Sequence, residues 1–347
     1  MSSTASAPLP ASGVGRRAGA LARVGSSPML RFLGRRLLIA IPVLWGVTFL
    51  TFLVINHLPG NAAQELLGIN ATPQQVHELS VQLGLDKPLL TRYGNWLHDL
   101  VTGSLGHSLA SGQSVTSILG ADLPVTFELV AFALLIALVF AVPIALLSAR
   151  RPGGVFDRVA MVFSMAGLSI ANYVLALILV YVFAVRLNWL PALGWAPPDH
   201  GFGTNIKYLI MPAVSIALSL LCFYTRQLRA DLIQQLHGED YVTTARAKGA
   251  GAWRVITRHA LRNSVFGLIT TVALNFGTLL GVTVIIEQIF GLPGIGHELL
   301  SAINQRDVPV VEGAVFVFAL MVILANLIAD LLYAALDPRV KYGSATN

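Results

Sequence analysis

Six stretches of this chain, residues 37–55, 125–148, 159–185, 208–224, 265–286 and 313–336, are long and almost uninterruptedly apolar. A helix needs about 20 apolar residues to cross a bilayer, and each run approaches or exceeds that length. Lipid offers the backbone no hydrogen-bond partner, so each crossing must satisfy its own amides, as a helix does. The pattern predicts an all-α polytopic membrane protein with six transmembrane helices. Composition agrees: of 347 residues, 55% are hydrophobic and 12% are charged. That charge fraction is about half that of a soluble domain. The run 208–224 is the shortest, and Pro212 near its start predicts a kink or a late entry.

The runs divide the chain. Residues 1–36 are rich in Ser, Ala, Gly and Pro, carry six arginines and no acid, and read as a disordered tail. A signal peptide is the rival reading. No small-x-small cleavage site follows 37–55, which reads as an uncleaved first span. Residues 56–123 are polar enough to lie outside the membrane as a small helical subdomain. There Thr72-Pro73-Gln74-Gln75 is a capping-box start. Val76, Leu79 and Leu83 give that helix one apolar face, and Gly84 stops it. Pro88 opens a second helix bearing Leu89, Tyr93, Trp96, Leu97 and Leu100, ended by Gly103 and Gly106. Residues 124–336 form the five-helix core, and 337–347 a short tail.

Charge sets the orientation. Eighteen of the 23 Lys and Arg fall in the first tail, at 150–158, at 226–262 and in the last tail. The other loops hold Lys87, Arg92, Arg186, Lys207 and Arg306. The positive-inside rule puts both termini in the cytosol and the 56–123 subdomain outside. Topology accounts for the basic excess, so lipid is the expected partner and nucleic acid is not.

One basic island stands out. From Tyr241 to Asn263 the chain reads YVTTARAKGAGAWRVITRHALRN, and no acid occurs between Tyr241 and Ile286. Ala, Arg and Lys favour a helix over 241–248, Gly249 and Gly251 break it, and a second helical run follows from Trp253. A helix, a glycine hinge and a second helix make a peg able to pass force from a cytosolic partner into the membrane. The plain alternative is a basic loop obeying the positive-inside rule.

This island resembles the coupling loop of permease subunits of binding-protein-dependent ABC importers, written E-A-A-x3-G-x9-I-x-L-P. Thr243, Thr244 and Ala245 take the E-A-A places, Gly249 the glycine, and His259, Leu261 and Arg262 the last three; Ala245, Gly249 and Leu261 match. The local form T-A-R-A-K-G with H-x-L-R-N is similar to the oligopeptide/dipeptide/nickel branch. Three further regions resemble that branch. They are the run from Ala71 to Leu97, the turn Gly291, Pro293, Gly294, Gly296 before a short helix, and Asn326, Asp330, Tyr333 and Asp337-Pro338-Arg339. Gly60-Asn61 departs from it, standing where relatives show Gly-Asp-Pro.

The resemblance implies a type I ABC importer permease fold in the plasma (inner) membrane. It implies as partners a second homologous permease, two ATP-binding subunits that hold the ATP and Mg, and an extracytoplasmic substrate-binding protein. It implies that Glu239, Asp240, Tyr241, Thr244, Ala245, Arg246, Lys248, Gly249 and Gly251 couple to an ATP-binding subunit, with Ala245 and Gly249 packing in its groove. Asn172, Asn275, Gly277 and Gly281 are expected along the path, and Gly291, Pro293, Gly294, His297 and Arg306 at the binding protein. The implied cargo is di- or oligopeptides; nickel, glutathione or haem remain alternatives.

No catalytic constellation and no cofactor or metal site is expected in the chain itself. There is no phosphate-binding G-x-x-x-x-G-K-[ST]. His297-Glu298 begins a zinc-protease pattern, but Ser301 occupies the second histidine's place. One cysteine, Cys222, excludes an internal disulfide and reads as a packing residue. Glu128 and Asp330 are the acids placed within the spans, Glu128 near the outer interface and Asp330 ready to pair with a basic loop residue. A proton-coupled secondary transporter would instead show internal repeats and paired mid-membrane acids. An intramembrane enzyme would need the missing constellation.

Overall fold

The computed structural model describes residues 28–57, 62–68 and 70–336. Most of the expected first tail, Gly60-Asn61 and the tail 337–347 lie outside the described residues. Helix α1 spans Pro28–His57, and α2 (Ala62–Leu67), α3 (Pro73–Gln82) and α4 (Leu89–Val101) follow it. Then come α5 (Val115–Arg150), α6 (Val155–Ser169), α7 (Asn172–Leu179, running on as a π turn over Val180–Arg186) and α8 (Phe202–Gly238). The chain continues with α9 (Asp240–Ala247), α10 (Ala252–Arg254, then a π turn over Val255–Ala260), α11 (Leu261–Leu274), α12 (Phe276–Phe290), α13 (Ile295–Gln305) and α14 (Val308–Leu336).

Helices α1, α5, α8 and α14 are each long and apolar enough to cross a membrane. Two bent pairs, α6 with α7 and the α10–α11 run with α12, turn by 95° and 50°; counting each pair as one span gives six. Their breaks fall at Ile170-Ala171 and at Asn275, inside runs that the sequence reads as continuous. Helices also run past the apolar segments. α1 starts at Pro28 rather than 37, and α8 continues to Gly238 instead of ending near 224. Their polar extensions stay helical because neighbouring helices supply partners for them, as shown below.

The bundle is built on the α5–α8 pair. Ala133, Ala137, Ala141, Ala145 and Ala149 recur every four residues along α5 and are all buried. Such a ridge lets a second backbone approach closely, which is how helices associate where lipid removes the hydrophobic drive. Ala213 and Ala217 of α8 and, further along, Leu228, Leu232 and Leu236 are buried with it. At the same level Cys222 Sγ fills the notch left by Gly167, where a Cβ would stand 2.4 Å from it. Outward, Leu38, Ile41, Leu50, Leu135, Val159 and Val162 are exposed, as suits a surface facing lipid tails.

The polar subdomain leans on this core. Thr72 caps α3 reciprocally with Gln75, and Pro73 is its first residue. α4 packs Tyr93 and Trp96 against Phe49 and Phe52 of α1, and Tyr93 Oη meets Thr48 Oγ1 at 3.0 Å.

Candidate coupling surface and pathway

At the basic end, α9 is a two-turn helix set on the bundle. Val242 and Ala245, three residues apart, point into the core formed by α5, α8 and the start of α11. Ala245 therefore seats α9 on its own chain. The other face shows Glu239, Asp240, Thr244, Arg246 and Lys248 to the exterior, with Thr244 Oγ1 donating to Asp240 O at 2.9 Å. Gly249 ends the helix at φ +79°, and a Cβ there would touch nothing within 4 Å. Within this chain the turn thus needs glycine for its backbone. Gly251 then caps α10 in an extended conformation. Tyr241 is the anchor: its hydroxyl donates to Gln235 Oε1 of α8 and accepts from Asn263 Nδ2 of α11, the latter at 3.0 Å.

The residues expected along the path separate into two groups. Asn172 opens α7 and Asn275 joins α11 to α12, so each sits at the break of a bent pair. Both line one cavity of 170 Å³, with Ser219 and Thr278. Gly277 lies elsewhere, facing α14, where a Cβ would come within 3.4 Å of both Val322 methyls. Gly281 is exposed and would meet nothing within 4 Å.

At the other end, Gly291 closes α12 in the left-handed region at φ +59°. Pro293 is exposed, and Arg306 caps α13 at φ +58°. Gly294 is buried, and its partner lies within the chain. The fully buried Glu287 carboxylate is so close that a Cβ on Gly294 would lie 2.5 Å from Cδ. Glu287 Oε1 accepts from Thr126 Oγ1 (2.8 Å), and Oε2 accepts from the amides of Gly296 (2.8 Å) and His297 (3.1 Å). Thr126 Oγ1 accepts in turn from Ile295 N at 2.9 Å. One carboxylate thereby joins α12, α5 and the start of α13. Nearby, Asp307 accepts from Ser108 Oγ and from the amides of Leu109 (3.1 Å) and Ala110 (3.2 Å), pinning the 106–114 loop under α14. Burial pushes the Glu298 carboxyl above its usual range; the His297 ring opposes this and the Asp307 charge adds to it.

Four more helix acids stand out. Asp157 takes a bidentate grip from Arg229, with Nη2 to Oδ2 at 2.7 Å, and also accepts from Gly153 N. Asp330 pairs with Arg36 at 2.8 Å, which ties α14 to the polar extension of α1. Glu312 is buried on α14, and its Oε1 has no hydrogen-bond partner among the described residues. Glu128 accepts from Trp195 Nε1 at 3.3 Å, near the outer loop. Among the described residues, no three His, Cys, Asp or Glu gather as a metal ligand set.

An all-helical bundle with broken spans and a hinged helix at its basic end has the fold of type I ABC importer permeases. A solved structure of the MetNI methionine ABC transporter in inward-facing conformations shares it, with a TM-score of 0.52 at 16% identity over 63% of this chain and 96% of that one. The model of the binding-protein-dependent transport system inner membrane component matches residues 141–342, and that of the family's N-terminal membrane component matches 29–130. The chain belongs to this family. It is 37% identical to the dipeptide transport system permease protein DppB of Alkalihalophilus pseudofirmus, over 90% of this chain and 100% of that protein. The di/tripeptide transport system permease protein DppB of Pseudomonas aeruginosa is also 37% identical, over 90% and 99%. A putative peptide transport system permease protein of Brucella abortus is 36% identical over 89% and 98%.

Proposed function

We propose that this chain is one permease subunit of an importer that moves di- or oligopeptides inward across the plasma (inner) membrane. A substrate-binding protein delivers the peptide at the end carrying the 106–114 loop and α13. A second, homologous permease completes the pathway. Of two ATP-binding subunits, which hold the ATP and Mg, one docks at α9, and both termini lie on their side. ATP-driven closure of those subunits pushes on α9. Because Tyr241 ties α9 to both α8 and α11, the push tilts these helices and alternates access. Each state is populated according to how differently ATP and the loaded binding protein bind the two.

The observation that carries this reading is α9 itself, seated by Val242 and Ala245 with its charged face left outward. The peptide cargo is supported by the names of the relatives, which match nearly end to end. The test is ATP hydrolysis by the reconstituted transporter, with and without peptide-loaded binding protein, for wild type and Gly249→Arg. The expected result is stimulation in the wild type that disappears in the variant while assembly persists. Stimulation that survives the substitution would make α9 a basic loop without a coupling role. Nickel, glutathione or haem stimulating where peptides do not would replace the cargo.

A further inference from the structure

A polar face on a helix of the bundle turns from lipid toward protein or water. The extension of α8 has such a face, with Gln227, Asp231 and Gln234 at helical spacing. The start of α11 has another, with Asn263, Gly267 and Thr270. These two faces line an open cavity of 460 Å³, within the range of about 300–1,000 Å³ typical of small-molecule sites. The larger cavity of 790 Å³ between α5, α11 and α14 is lined by apolar side chains throughout and offers a polar molecule nothing.

We propose that the α8–α11 cavity is a cargo subsite that takes the amino-terminal end of a short peptide, with Asp231 as the counter-charge to its α-ammonium. This rests on the peptide reading above. Asp231 is the one charged residue lining the cavity, and no lysine, arginine or histidine pairs with it among the described residues. Gly267 makes the room: a Cβ there would stand 3.0 Å from Asp231 Oδ2. Ser264 also lines the space, and its buried hydroxyl has no hydrogen-bond partner among the described residues. The hydroxyls of Thr270 and Thr271 donate to their own helix at 3.0 and 2.9 Å, which leaves their lone pairs free to accept from peptide amides. The amides of Gln227 and Gln234 add donors and acceptors for a peptide backbone. A single carboxylate among neutral amides and hydroxyls suits an ammonium better than a metal ion, which needs several ligands. Gln235 and Asn263, at the rim, are the two residues that hold Tyr241, so whatever fills the cavity presses on the anchor of α9.

The test uses the whole transporter in liposomes with labelled Ala-Ala as probe, and reads uptake per ATP hydrolysed. Asp231→Asn is expected to lower that ratio about tenfold or more, the cost of losing a charged hydrogen bond, with part of it regained in Asp231→Glu. A second measurement guards against misassembly. In a Thr270→Cys transporter, Ala-Ala should slow maleimide alkylation of the new thiol, and N-acetylated Ala-Ala should not. Wild-type uptake of Ala-Ala with an unchanged ratio in Asp231→Asn would overturn the subsite alone. So would alkylation at position 270 that is indifferent to Ala-Ala, as expected if the second permease simply covers the cavity. A wild-type transporter that neither takes up Ala-Ala nor answers to its loaded binding protein would remove the peptide reading and the subsite with it.

Discussion

At the residue scale, the acids carry most of what was hidden. Asp157, Glu287 and Glu312 lie in helices of the bundle, yet each stands just outside an apolar run, and Asp231 lies further out on the extension of α8. Hydropathy ends a span at its first charge, so charges that packing draws inward fall beyond the cut. The Asp157–Arg229 pair leaves the carboxylate only 3% exposed. Removing one partner of a buried pair strands the other, so Asp157→Ala should cost about 3 kcal/mol, measured as thermal unfolding in detergent. Asp157→Ala with Arg229→Ala should cost less than the two single changes summed. The glycines differ from one another in the same way. Gly296→Ala would force a Cβ to 2.6 Å from the Val284 backbone and should cost about 1–3 kcal/mol, whereas Gly281→Ala meets open space and should be neutral or slightly stabilising. Glu298 gives a pH signature. Its raised folded-state pKa favours the protonated form, so its contribution is whole below the unfolded value of about 4.3 and is lost as pH rises through the folded one. Glu298→Gln should therefore melt above wild type at about pH 8 and level with it at about pH 4.

At the element scale, local chemistry was legible where a few neighbouring residues decide the outcome. The capping box at Thr72 starts α3, and Gly249 ends α9 close to where the sequence places the break. The bends were not legible, because hydropathy alone runs each span through its break. Asn172 and Asn275, at the two breaks, line one cavity. The direction of Ala245 was also a tertiary matter, since a two-turn helix has no preferred face until Val242 finds a core. Tyr241 predicts how firmly α9 is held. Tyr241→Phe removes both side-chain bonds, and amide exchange over 245–249 should quicken about tenfold, the equivalent of roughly 1.4 kcal/mol. Exchange at unchanged rates would place the anchor elsewhere.

At the scale of the whole molecule, the orientation argued from the basic loops puts the two polar ends of the bundle on opposite sides of the membrane. Ser111→Cys, on the exposed 106–114 loop, should react in intact cells with a maleimide that cannot cross the membrane. Lys248→Cys, on the exposed end of α9, should react only after the membrane is opened. Cys222 is buried and should stay silent in both. Reaction of both thiols from outside would reverse the orientation argued from the basic loops. The sequence alone determined the class of the chain, its helical character, the six apolar runs and the hinged basic island. These follow from length, hydropathy and glycine placement, which act over a turn or a span. Only the tertiary structure decided where the spans bend, which acids are buried and how they are paired, and that the polar stripes of α8 and α11 meet around a cavity. Each of these depends on residues far apart in sequence, such as Thr126 with Glu287 and Tyr241 with Asn263, and no local pattern records which distant group will satisfy a buried charge.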